Sequence, residues 1–310
     1  GANELKRKGT AYILAFGVNR YANDQYNLKY AVPDARSFAE ELRLQQSKIG
    51  QYQNIEVIAL TDQEVTKENI LLALKGLASS SPVALPPVLS RIKPAQPEDA
   101  VIIYFAGHGT ARGARFYLVP HDLGYTGSRT AVNAEAVETI LAHSVSDLEL
   151  EAAIEGLDAE RLLLVIDACN SGQALEAEEK RRGPMNSKGL AQLAYEKGLY
   201  ILTAAQSYQA ALEASELGHG YLTYALVEEG LKRGLADRDA KDGEILGREW
   251  FNYATERVPQ MQEKGMKASR LLLFVEGEEE IKDPSKRSIQ RPRVFYRREL
   301  ETHPMVIAKP

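Results

Sequence analysis

The chain has 310 residues, a net charge of −5 and 44% hydrophobic residues. That balance argues against a surface for nucleic acid or anionic membrane, and no apolar run approaches the roughly 20 residues needed to span a bilayer. A single cysteine excludes an intramolecular disulfide and fits a reducing interior, so a cytoplasmic protein is expected. No signal peptide is read in Gly1–Lys8, and an initial Gly without Met is expected of an excised chain or a tag remnant.

In chain order, an apolar strand is predicted over Ala11–Val18. Pro33-Asp34 opens a helix carrying Phe38, Leu42 and Leu44. Ile55–Leu60 is a second strand, and Thr66 caps a helix with Ile70, Leu71, Leu74 and Leu77 at helical spacing. Ser79–Pro97 holds five prolines and reads as a loop. Strands follow at Ala100–Ala106 and Phe116–Val119, then a polar loop with Gly124, Gly127 and Ser128, then a helix near Leu148–Ile154. Arg161–Ile166 and Leu199–Ala204 read as strands, Tyr221–Leu231 and Trp250–Val258 as helices, and Leu271–Val275 as a last strand. Such alternation predicts one α/β domain with a mainly parallel central sheet flanked by helices on both faces.

Two of these strands end in reactive side chains. The run through Ala106 continues into Gly107-His108-Gly109, and the run through Ile166 into Asp167-Ala168-Cys169-Asn170. Both runs are continuous and rich in β-branched or aliphatic residues, as buried parallel strands are. Open α/β sheets hold their sites at the carboxyl ends of such strands. Taken singly, the residues have ordinary readings: free Cys is among the most buried residue types, and a His after a strand often serves a turn. Together they suggest a cysteine hydrolase in which His108 activates Cys169. The neighbouring glycines remove side-chain bulk beside a substrate carbonyl.

Tyr104–Gly109 and Asp167–Gly172 resemble the histidine and cysteine motifs of caspase-like peptidases, in the metacaspase and bacterial orthocaspase branch. The caspase signature is Gln-Ala-Cys-x-Gly with its His about 50 residues upstream. Here the separation is 61 residues, Asp167 stands in place of Gln, and Ser171 precedes Gly172. Gly17–Tyr21, Ala31–Ala35, Leu199–Ala205 and Gly218–Ala225 extend the likeness over about residues 9–275. The resemblance implies a caspase-hemoglobinase fold in residues 1–278. Within it, 9–175 would be large-subunit-like, 176–190 a processing loop and 191–278 small-subunit-like, with 279–310 a basic tail or linker.

It further implies a Cys169–His108 dyad, with the backbone N–H groups of Gly109 and Cys169 as oxyanion donors. No side chain is nominated to orient His108. Asp167, with Asp34 in a segment resembling the metacaspase Asn-Asp-Ala (Pro33 replacing Asn), implies an acidic pocket for Arg or Lys before the scissile bond. The plainer readings are a helix-start carboxylate for Asp34 and a loop-holding hydrogen bond for Asp167. The rival to a protease is a caspase-like interaction module without catalysis.

The polar segment Glu176–Lys188 reads as a surface loop. In caspase-like enzymes this region links the large and small portions, which makes Lys180, Arg181, Arg182 and Lys188 self-cleavage candidates. Some metacaspases depend on Ca²⁺, but Glu176, Glu178 and Glu179 lack the ordered oxygen spacing of a calcium loop. No cofactor and no metal site are expected. The expected partners are protein or peptide substrates with Arg or Lys before the cut, together with a regulatory domain or partner of the kind bacterial relatives carry. His121 is assigned to a turn, His143 and His303 to the surface, and His219, within a second Gly-His-Gly, is the weaker base candidate because no buried strand precedes it.

Overall fold

The computed structural model describes residues 7–113, 115–170, 188–206, 217–276, 292–296 and 304–310. Strand β1 (Thr10–Gly17) leads to α1 (Ala31–Ile49), which stops at Gly50 in the left-handed conformation, φ 68°. Then come β2 (Asn54–Thr61) and α2 (Lys67–Ala78), whose cap is Thr66 accepting from the Asn69 N–H. Strand β3 (Ala100–Arg112) turns back into β4 (Arg115–Leu118). Helix α3 (Ala134–His143), β5 (Val145–Ser146) and α4 (Asp147–Ile154) lead to β6 (Arg161–Asn170). The chain continues through α5 (Lys188–Lys197), β7 (Tyr200–Gln206), and α6, an α-turn over Tyr221–Thr223 that widens into a π-helix over Tyr224–Lys232. Finally come β8 (Ile245–Leu246), α7 (Gly247–Glu276), β9 (Arg293–Phe295) and β10 (Val306–Ala308).

The central sheet runs β2-β1-β3-β6-β7-β9. All neighbours are parallel except the edge strand β9, antiparallel to β7. The fold is thus the caspase-like α/β architecture that the motifs imply. Its strands alternate between two cores. Tyr12, Leu14, Phe16, Val101, Ile103, Phe105, Leu162, Leu164 and Ile166 pack with α2, α4 and α5. Ala11, Ile13, Ala15, Ile102, Tyr104, Leu163 and Val165 pack on the opposite face with α1, α6 and α7. Because both faces are buried, the strands read as continuous apolar runs. Among the described residues no helix is long and apolar enough to cross a membrane.

Three readings change. Leu271–Val275 is not a strand but the last stretch of α7. The helix runs on through Pro259 and Gly265, and once formed it extends into this apolar run at less cost than a new strand would start. The polar loop after β4 contains α3, with Asn133 accepting from the Ala136 N–H and with Ala136, Ile140 and Leu141 buried at helical spacing. Within residues 279–310, β9 joins the central sheet, and β10 pairs with β8 while its Val306 and Ile307 carbonyls accept from the Gln46 amide.

Candidate active site

His108 and Cys169 are register partners on the adjacent parallel strands β3 and β6, so the fold brings them to the same level of the sheet. His108 is fully buried. Its Nε2 lies 2.6 Å from the backbone carbonyl of Tyr26. A carbonyl only accepts, so Nε2 carries the proton and the neutral ring keeps Nδ1 as its basic nitrogen. The His108 backbone N–H donates to the Tyr21 hydroxyl at 2.7 Å, and the Tyr21 and Tyr26 rings flank the imidazole at 5.0 and 5.8 Å.

Two loops hold this carbonyl in place. Asn23 caps the short turn Asp24–Tyr26, and its amide donates to the carbonyls of Tyr125 and Gly127 at 3.1 and 2.9 Å. The Arg129 N–H donates to the Gln25 side chain at 2.9 Å, while the Arg129 guanidinium lies 5.1 Å from the centre of the Tyr26 ring. His121 bridges the same loops: its Nδ1 is 2.6 Å from the Arg20 carbonyl, and its carbonyl accepts from Ala22.

The glycines beside His108 have a packing reason of their own. A Cβ at Gly107 would lie 2.8 Å from the Tyr21 hydroxyl, and one at Gly109 only 2.7 Å from the Ala168 Cβ. The residue type at Gly109 is therefore accounted for by the close approach of β3 to β6, whatever its N–H does for a substrate.

The second pair also converges. Asp167 leaves β6 on the face shared by Leu163 and Val165, and Asp34 sits in the first turn of α1. Both carboxylates are nearly fully buried. Between them lies Gly220, where a Cβ would be 2.9 Å from Asp34 Oδ2 and 3.4 Å from Asp167 Oδ2. Asp34 accepts from the Gly220 N–H at 3.0 Å and from His219 Nδ1 at 2.8 Å. Asp167 accepts from the Thr223 hydroxyl at 3.3 Å, and that hydroxyl lies 2.6 Å from the Tyr104 phenol. Burial, reinforced by the neighbouring Asp34 charge, pushes Asp167 up to about 8. Burial also raises Asp34 to about 6, against the hydrogen bonds from His219 and Gly220. The hydrogen bond to Asp34 in turn holds the His219 imidazole above its usual value.

The Tyr26 carbonyl, which no residue type advertises, and Thr223 are not among the predicted site residues. His219, the weaker base candidate, has its ring against Asp34, a partnership that its Gly-His-Gly setting does not advertise. The wider segment does carry a signal, since Gly218–Ala225 is among the segments that carry the family likeness. Lys188 opens α5. Lys180, Arg181, Arg182, the acidic residues Glu176, Glu178 and Glu179, and His303 lie outside the described residues. His143 Nδ1 meets the Thr139 carbonyl at 2.9 Å, within its own helix.

The family model for the caspase domain matches residues 10–246. Among solved structures, protein GSU0716 from Geobacter sulfurreducens superposes with a TM-score of 0.51 at 13% identity, covering 94% of this chain and 95% of its own. The structure of pro-sf-caspase-1 superposes with a TM-score of 0.44 at 13% identity, covering 94% of this chain and 92% of its own. Among curated proteins no relative matches the chain.

Proposed function

The chain belongs to the caspase-domain family, a family of cysteine peptidases, and from that premise we propose that it is an endopeptidase cutting after Arg or Lys through a Cys169–His108 dyad. The observation that carries this reading is the pairing of His108 with Cys169 across β3 and β6, with His108 Nε2 committed to the Tyr26 carbonyl. His108 Nδ1 takes the Cys169 thiol proton, and the thiolate attacks the scissile carbonyl. The backbone N–H groups of Gly109 and Cys169 stabilise the resulting oxyanion; losing one such donor costs about 100- to 1,000-fold in rate. The imidazolium then returns its proton to the leaving amine, and water, deprotonated by the same nitrogen, hydrolyses the thioester.

The convergence of Asp34 and Asp167 around Gly220 supports the preference for a cation. Self-processing after Lys180, Arg181, Arg182 or Lys188, a role in cell death or defence signalling, a regulatory partner and work without a cofactor belong to the same reading. A panel of fluorogenic peptides with Arg, Lys or Asp before the scissile bond tests it, run on wild type and Cys169→Ala. Turnover of the Arg and Lys peptides alone, abolished in the variant, is expected. Turnover that survives the substitution, or a preference for Asp, overturns it.

A further inference from the structure

The two pocket carboxylates already face a cation of the protein's own. His219 stands on the turn leading into α6, and its side chain is 21% exposed, whereas that of Asp34 beneath it is 3% exposed. Four charged or titratable groups face the ring or the pocket beside it. Asp34, from α1, is 2.8 Å from Nδ1. Glu228, from α6, is 4.0 Å from Nε2. Lys232, also from α6, is committed to Glu228 at 2.6 Å. Asp167, from β6, lies across Gly220. With Lys232 neutralising Glu228, His219 is the cation left for Asp34 and Asp167 among the described residues.

We propose that His219 is a specificity-determining residue: as imidazolium it holds the cation position of the Asp34–Asp167 pair while the pocket is empty, and a substrate Arg or Lys displaces it. This rests on the reading of the pocket as basic-specific. A guanidinium that grips Asp34 through both oxygens must share Oδ2 with the Gly220 N–H and Oδ1 with His219, the cation already there. Two cations on one carboxylate oxygen repel strongly away from bulk water. The arriving side chain therefore expels the imidazole's proton or the ring itself, and the ring's partial exposure gives it a way out. Binding exchanges a proton for the substrate cation. The raised affinity of His219 for its proton in the empty pocket accords with this.

The test uses the full chain carrying Cys169→Ala and an end-blocked peptide whose one charged residue is Arg. Calorimetry at pH 6, 7 and 8, in two buffers of different ionisation heat, reads affinity and proton release together. Binding is expected to tighten as pH rises from 6 to 8, with protons released both from the Asp34–Asp167 pair and from His219; the His219 share is the part lost on its substitution. In Cys169→Ala/His219→Gln, the pH dependence and the release should fall, and binding at pH 6 should strengthen. The His219 ring C–H resonance supplies a second readout that needs no variant at this position, its titration moving to lower pH when the peptide binds. Equal proton release with and without His219, or a His219 titration that ignores the peptide, overturns the exchange while leaving a basic pocket intact. No binding of the Arg peptide at any pH overturns the basic pocket and the exchange together.

Discussion

The backbone carbonyl of Tyr26 lies 2.6 Å from Nε2 of His108, and the turn that presents it is pinned by chain a hundred residues further on. The base is thus oriented by a backbone carbonyl on a loop. Its tautomer depends on how well that loop is held.

Replacing Asn23 by Ala removes the cap of the Asp24–Tyr26 turn and both bonds to the 125–127 loop. The loss should cost about 1 kcal/mol of stability. It should also lower kcat for the best Arg peptide by on the order of tenfold or more, because His108 loses its fixed orientation. Stopped assays of kcat and KM, beside a thermal melt, separate the two effects. An unchanged kcat in a measurably destabilised variant would show that the loop does not position the base.

The acidic pocket should also set how stability depends on pH. Asp34, Asp167 and His219 all bind protons more tightly folded than unfolded, so the native state holds extra protons above the ordinary carboxylate range. Glu149 and Glu229, held low by Lys67 and Arg257 despite partial burial, act in the opposite sense, and their effect is complete once the unfolded carboxylates have ionised. The melting temperature should therefore fall as pH rises from 5 through 8. Asp167→Asn should flatten that fall and raise stability at pH 8 by on the order of 1 kcal/mol, while impairing cleavage after Arg. A variant that melts lower at pH 8 with Arg/Lys selectivity intact speaks against the pocket assignment.

Wild type incubated alone should cut itself after Lys180, Arg181, Arg182 or Lys188, and Cys169→Ala should not. Lys188 is the first residue of α5, so a cut there requires the start of the helix to unwind. New termini mapped by mass spectrometry decide the matter. The same fragments in both proteins would mark a contaminating protease, and an intact wild type that cleaves Arg peptides freely would remove self-processing from the mechanism.

Much of the fold is written in local pattern. Ala100–Ala106 and Arg161–Ile166 are unbroken apolar runs because both faces of their strands are covered, and their order fixes where His108 and Cys169 emerge. Leu271–Val275 shows the limit of that pattern: a short apolar run has the same composition in a buried strand and in a helix, and what precedes it decides. The site divides the same way. Asp34 and Asp167 could be paired from their motifs, but the Tyr26 carbonyl is backbone, and the His219–Asp34 bond spans 185 positions that only the folded chain closes.

Labelling with peptidyl chloromethyl ketones tests nucleophile, base and pocket in one measurement. The attacking thiolate forms a carbon–sulfur bond and chloride leaves, so intact mass reports a single adduct. An Arg reagent should modify Cys169 stoichiometrically within minutes near neutral pH, an Asp reagent should not, and His108→Ala should slow the Arg reaction by on the order of 100-fold or more. Equal labelling by both reagents, or an Arg reaction no slower in His108→Ala, would contradict the assignment of a His108-activated, basic-specific Cys169.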